Sequence, residues 1–315
     1  MMNRMIRKTA NLVVVTLCVT WATFLTVDLL PGDAAHEIAG PTATPAEIGE
    51  IRQRLGLDRP ILLRYLTWVA GVCKGDLGVS PITQERVLTA IAGRLPVTVE
   101  LMLFSQILAL ALALPCGIVS AYRANSGLDK AIGTAAFGFM SVPVFVMSLV
   151  FIYLFAIRLR WFPATGFIPL SQGFWPNLRS LTLPGLSIAL VEWVPLMRVL
   201  RSDMIATLKE DHILVARAKG LSDRHILFRH ALPPSLFTLI TLLGIQVGHL
   251  IGGALIVEII FSLPGVGRLL VGALYGRDVV MVQGCILLIT LSYVGINFLV
   301  DSLYAVLDPR IRYGG

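Results

Sequence analysis

Charge is scarce in this sequence. Only 14% of its 315 residues are Asp, Glu, Lys or Arg, 56% are hydrophobic, and mean hydropathy is +0.79. A water-soluble domain of this length carries about a quarter charged residues to cover its surface, so that class is excluded. Cysteine is scarce as well. Cys18, Cys116 and Cys285 stand inside apolar runs and Cys73 is alone in a polar segment, which excludes a disulfide framework and leaves no metal-ligand spacing. Tandem repeats and low-complexity tracts are absent. So is the Gly-x-x-x-x-Gly-Lys-Ser/Thr loop that cradles nucleotide phosphates. There is no Gly-x-Ser-x-Gly, and His36-Glu37 opens a zinc-protease-like motif in which Gly40 stands where the second His is needed. Hydrolase chemistry, a metal centre and a bound cofactor therefore have no support. The net charge of +7 does not point to nucleic acid, because the basic residues fall between apolar runs rather than along one stripe.

What the sequence has is long apolar runs. Uncharged runs of about 20 residues match the hydrocarbon thickness of a bilayer when helical. Six are predicted: Thr9–Leu30, Thr98–Ala121, Ile132–Ile157, Leu181–Leu200, Leu236–Ile260 and Val279–Leu303. The first is longer than a secretory h-region and has no convincing cleavage site after it, so it is expected to be an uncleaved span. Six spans place both termini on one side. That side would hold Arg4, Arg7, Lys8, Arg123, Lys130, Arg198, Arg201, Lys209, Arg217, Lys219, Arg224, Arg229, Arg310 and Arg312. The two short loops opposite hold only Arg158, Arg160, Arg179, Arg268 and Arg277. Positive residues collect on the cytoplasmic side, so both termini are expected there, in a plasma (inner) membrane. The chain then reads as one transmembrane domain over 1–315. Its long loop 31–97 is extracytoplasmic, with a short helix over Pro45–Leu55 capped by Thr44 and stopped by Gly56, and a second over Ile61–Val72 on the membrane surface.

The cytoplasmic segment 201–234 has its own pattern. Ile205, Leu208, Val215 and Ala216 fall near one helical face, Gly220 stops that helix, and Leu221 supplies an apolar contact beyond it. Ser222 caps a second short helix with Asp223 in its first turn, and Pro233 and Pro234 are expected to end it. The result is a basic helix–Gly–helix elbow. The pattern alone suits a docking element or an amphipathic loop on anionic headgroups equally well.

The elbow resembles the signature of permeases in binding-protein-dependent ABC importers: Glu-Ala-Ala, three residues, Gly, nine residues, Ile, one residue, Leu-Pro. Here Gly220 and Leu232-Pro233 are in register, Leu214-Val215-Ala216 stands for Glu-Ala-Ala, and His230 replaces Ile. These departures resemble the dipeptide, oligopeptide and nickel branch. So do Leu30-Pro-Gly-Asp33, Leu55-Gly-Leu-Asp-Arg-Pro60, Gly75-Asp-Leu-Gly78 with Ser80, Arg94-Leu-Pro96 and Phe261-Ser-Leu-Pro-Gly-Val-Gly-Arg268. Asn297 with Val300-Asp301, and Leu307-Asp-Pro-Arg-Ile-Arg312, complete the series. The resemblance implies an all-α integral membrane fold of the type I ABC importer permease kind. It implies a second homologous permease, two ATP-binding cassette ATPases that hydrolyse the ATP, and an extracytoplasmic solute-binding protein as partners. It also assigns Ala216, Arg217, Ala218, Lys219, Gly220, Leu221 and Ser222 to coupling with the ATPase. Solutes in this branch include dipeptides, oligopeptides, glutathione and nickel.

Polar residues inside spans are costly and face a partner or a cavity. Glu192 with Trp193, Gln246 and His249 are candidate pathway residues; a structural bond between helices is an equal reading for Glu192 and a somewhat better one for His249. Glu192 stands about two turns, roughly 9 Å of rise, from Arg198, too far for a short direct pair. Gln106, Gln246 and Asn297 read best as interhelical bonds, and Gly244, Gly248 and Gly252 as a face for close packing. Pro143 and Pro195 are positioned to kink their helices. An ion-coupled secondary transporter is the rival reading. It would show inverted-repeat symmetry, which is not found, and would need no ATPase.

Overall fold

The computed structural model describes residues 2–29, 35, 39–40, 42–54 and 56–307. The motif Leu30–Asp33, the pair His36-Glu37, Leu55 and the segment 308–315, with Arg310 and Arg312, lie outside the described residues. Among the described residues the chain is helical throughout, with one isolated bridge, Val79 to Arg86, and no strand. In chain order the helices are α1 (Met2–Leu29), α2 (Pro45–Arg54), α3 (Ile61–Cys73), α4 (Val87–Tyr122), α5 (Gly127–Met140) and α6 (Val144–Phe151). They continue with α7 (Phe174–Thr207), α8 (Asp211–Ala218), α9 (Asp223–His225), α10 (Leu232–Ile260), α11 (Val266–Tyr275) and α12 (Val279–Leu307). Contacts group the chain into two compact units, one of residues 1–98 with 264–294 and one of 99–263 with 295–315.

Four helical stretches are long and apolar enough to cross a bilayer: Val87–Tyr122, Phe174–Thr207, Asp223–Leu250 and Val279–Val300. A fifth crossing exists if α5 and its successor count as one, but they are not the straight helix that Ile132–Ile157 suggested. The two halves meet at 94°. Pro143 is the cause. It supplies no amide hydrogen and disfavours helical geometry at the residue before it, and the ladder stops at Met140 and restarts at Val144. After α6 the chain widens into a π turn over Ile152–Arg158. The apolar part of the first predicted span, Val13–Thr26, is shorter than a crossing among the described residues. The second predicted span begins earlier than expected. α4 has 36 residues, about 54 Å of helix, and its first eleven were read as loop. Pro195 lies with Pro184 inside an unbroken α7.

The first unit shows local capping as read from the sequence. Thr44 Oγ1 and N both donate to Glu47 Oε2, at 2.9 and 2.7 Å, and Glu47 N donates back to Thr44 Oγ1 at 3.4 Å. This capping box starts α2, and its hydrogen bonds hold the Glu47 carboxyl below the usual range. Gly56 stops the helix at a φ of +64°. Tyr65 of α3 is buried against α1, bonded to Thr20 Oγ1 at 3.0 Å and donating to the Leu17 carbonyl at 3.1 Å, with Trp21 and Phe24 edge-on to its ring. Leu62, Leu63 and Leu66 of the same helix are exposed. Between α3 and α4, Gly75 and Gly78 take positive φ, Gly78 N donates to Asp76 Oδ1, and the Ser80 hydroxyl donates to Asp278.

α7 is the centre of the second unit. Of its apolar stretch 61% is buried, against 28–39% for the other three long apolar stretches. Trp193, Val194, Leu196, Met197, Leu200 and Met204 pack with Ala109 and Ala113 of α4, Ala136 of α5 and Leu239 of α10. Gly244 of α10 sits where a Cβ would fall 1.9 Å from Val300 of α12, so close packing holds there. At Gly252 it does not: an added Cβ would meet open space. Only part of the predicted small-residue face is used within this chain.

Candidate functional site

The elbow is built from local rules. α7 does not run on into it. Leu208 N, Lys209 N and Glu210 N bond back to Met204, Ala206 and Thr207, and a new helix starts at Asp211. Restarting there changes the register. Ile213 and Ala216, three residues apart, share the inward face and pack with Ile226 and Leu208. Val215, expected on that face, is exposed instead, as is Leu214. α8 ends in a Schellman arrangement: Gly220 N bonds to Arg217 O at 2.9 Å, Leu221 N to Ala216 O at 3.3 Å, and Gly220 has a φ of +76°. Ser222 Oγ then accepts from His225 N at 3.4 Å and caps α9.

Pro233 and Pro234 do not end the second helix of the elbow. α9 passes through a π turn over Ile226–Ala231 directly into α10, so the chain is helical from Asp223 to Ile260. The prolines occupy the first turn after the π turn, where the change of pitch already interrupts the regular ladder and missing amide hydrogens cost little. Of the predicted coupling residues, Ala216 is buried. Arg217, Ala218, Lys219, Gly220, Leu221 and Ser222 are all exposed, together at the corner.

Two polar links that sequence reading missed secure the surroundings of the elbow. Arg201, near the end of α7, grips Asp129 in the first turn of α5 with Nε and Nη2 at 2.7 and 2.6 Å. Tyr122, the last residue of α4, donates its hydroxyl to Asp223 Oδ2 at 2.7 Å.

Of the four candidate pathway residues, two are brought together. Gln246 Nε2 of α10 donates to the Glu192 carbonyl at 3.1 Å, and Gln106 Nε2 of α4 lies 3.4 Å from Gln246 Oε1. Gln106 and Gln246 are thus the interhelical bonds expected of them. The Glu192 side chain is half-buried and has no hydrogen-bond or ion-pair partner among the described residues; Arg198 lies over the Phe137 ring instead, at 5.0 Å. Trp193 is buried edge-on to Phe139, and His249 is exposed. No group of three or more His, Cys, Asp or Glu could hold a metal ion among the described residues.

Residues 113–313 match the family described as binding-protein-dependent transport system inner membrane component, and residues 1–102 match its N-terminal part. This chain belongs to that family. A probable peptide ABC transporter permease of Sinorhizobium fredii is 39% identical over 92% of this chain and 93% of its own. The glutathione transport system permease of Escherichia coli is 36% identical over 99% of this chain and all of its own. The dipeptide transport system permease of Alkalihalophilus pseudofirmus is 34% identical over 98% of both. Among solved structures, a chain of the inward-facing MetNI methionine ABC transporter superposes with a TM-score of 0.57 at 16% identity, covering 70% of this chain and 97% of that one. That likeness shows a shared importer-permease fold. The protein is a permease subunit of an ATP-driven importer.

Proposed function

We propose that this permease forms half of a translocation pathway for peptides or a related small solute, in the plasma membrane of a prokaryote. It spans the membrane six times as a single domain over 1–315, with both termini and the loop 201–234 in the cytoplasm and the loop 31–97 outside. The second half comes from a homologous permease. Two ATPase subunits receive the elbow, and an extracytoplasmic binding protein delivers the solute. Coupling falls to Ala216, Arg217, Ala218, Lys219, Gly220, Leu221 and Ser222. Glu192, Trp193, Gln246 and His249 belong to the pathway.

One observation carries the coupling reading. The corner of the elbow offers exposed Leu214, Val215 and Leu221 amid Arg217, Lys219 and Arg224, and its second arm is one continuous helix with α10. A protruding apolar corner fits a groove, and a helix without a break transmits its displacement. The test is purification of the tagged full chain from membranes. ATP-hydrolysing subunits should copurify, and Leu221→Asp should release them without loss of the permease. Retention of those subunits by Leu221→Asp would remove the elbow from the interface.

A further inference from the structure

The elbow follows α7 through residues 208–210 and runs through α9 into α10. A hydrogen bond from Tyr122 to Asp223, which joins residues 101 positions apart, ties it to α4 as well. Asp223 is not needed as the helix cap, since Ser222 performs that role. Nor is Tyr122 held there by burial, because its side chain is exposed. The two meet at 2.7 Å on an exposed surface, where each could turn to water instead. The apolar seat under the corner, Ile213, Ala216, Ile226 and Leu208, makes no use of α4, although Leu227 and Ala231 farther along the second arm share a buried cluster with Ala121 of α4. At the corner itself, Tyr122 supplies a side-chain link to the last turn of α4.

We infer that Tyr122 and Asp223 form a latch that makes the inner end of α4 move with the elbow, so that α4 and α10 are driven as a pair. The inference rests on the coupling reading above. Tyr122 and Asp223 are positioning residues in this scheme; neither touches solute or nucleotide. α7 does not share the latch. Its own end is fastened to α5 through Arg201 and Asp129. The elbow thereby carries the end of α4 along with α10, instead of tilting α10 alone.

Spin labels test this in the assembled complex on a cysteine-free background. The pair Arg123→Cys and Arg224→Cys reports the distance from α4 to the elbow. The pair Trp175→Cys and Arg224→Cys reports movement of the elbow itself. Each is measured without nucleotide and after trapping with MgATP and vanadate. The second pair should change on trapping while the first stays constant. With Tyr122→Phe added, the first pair should change too, and Asp223→Ala should give the same shift, with no further effect in the double variant. A first-pair distance that changes in the parent, or that stays constant in Tyr122→Phe, overturns the latch and leaves the coupling reading intact. No change in the second pair removes the coupling reading and the latch with it.

Discussion

A φ of +76° at Gly220 places one residue between the two arms of the elbow in a conformation that L side chains avoid. Space is not the constraint, since nothing lies within 4 Å of an added Cβ. Gly220→Val therefore costs about 1–3 kcal/mol of backbone strain. The apolar spans should still insert, while ATPase copurification or its solute-stimulated hydrolysis falls; wild-type values for both would exclude a coupling role for this corner. At Gly244 the reverse holds, and space is everything. Gly244→Val should destabilise the chain by about 1–3 kcal/mol through its clash with Val300, read as a lower thermal midpoint. Gly252→Ala, with open space beside it, should stay within about 0.5 kcal/mol. Glu192→Gln keeps shape and hydrogen-bonding capacity but removes charge. It should assemble normally and carry cationic solutes more slowly, and a wild-type rate for such a solute at full expression would rule out a required charge. The signals at Thr44, Gly56, Gly220 and Ser222 were legible because capping and stopping depend on residues one to six positions away. Asp129 with Arg201, and Tyr122 with Asp223, were not, because separations of 72 and 101 residues close only through the fold.

Among the elements, apolar length was readable and helix continuity was not. The run Ile132–Ile157 is uniformly apolar, yet Pro143 divides it at 94°, because the pre-proline restriction acts on backbone geometry whatever the hydropathy. Pro233 and Pro234 were expected to break a helix and do not, because a π turn precedes them and their missing donors fall in its first following turn. The start of α4 lies eleven residues before the expected one, because the uncharged apolar run begins only after Arg94 and Pro96 while the helix ladder begins at Val87. The link between α5 and α7 is a two-pronged charge-assisted bond from a partly exposed Arg201. Asp129→Ala should cost about 1.5 kcal/mol, the low end for bonds to a charged group because solvent screens Arg201. In a double-mutant cycle read by thermal midpoint, Asp129→Ala with Arg201→Ala should lose clearly less than the sum of the two single variants. Strict additivity would mean that the pair does not act as a unit.

For the whole molecule, the proposed orientation rests on the distribution of Lys and Arg, and two thiols read it directly. Cys73 is exposed at the end of α3 and should react with an impermeant reagent added outside intact cells. Ser222→Cys, exposed at the elbow, should react only after permeabilisation, and labelling from outside would invert the orientation. The energy source is the central claim, and it has one decisive measurement. The complex is reconstituted in proteoliposomes with its binding protein outside, and uptake is followed for the solute that copurifies with that protein. Accumulation should require ATP on the elbow side and persist when ionophores collapse the proton and sodium gradients. Uptake that ionophores abolish, and that ATP does not support, would contradict the account.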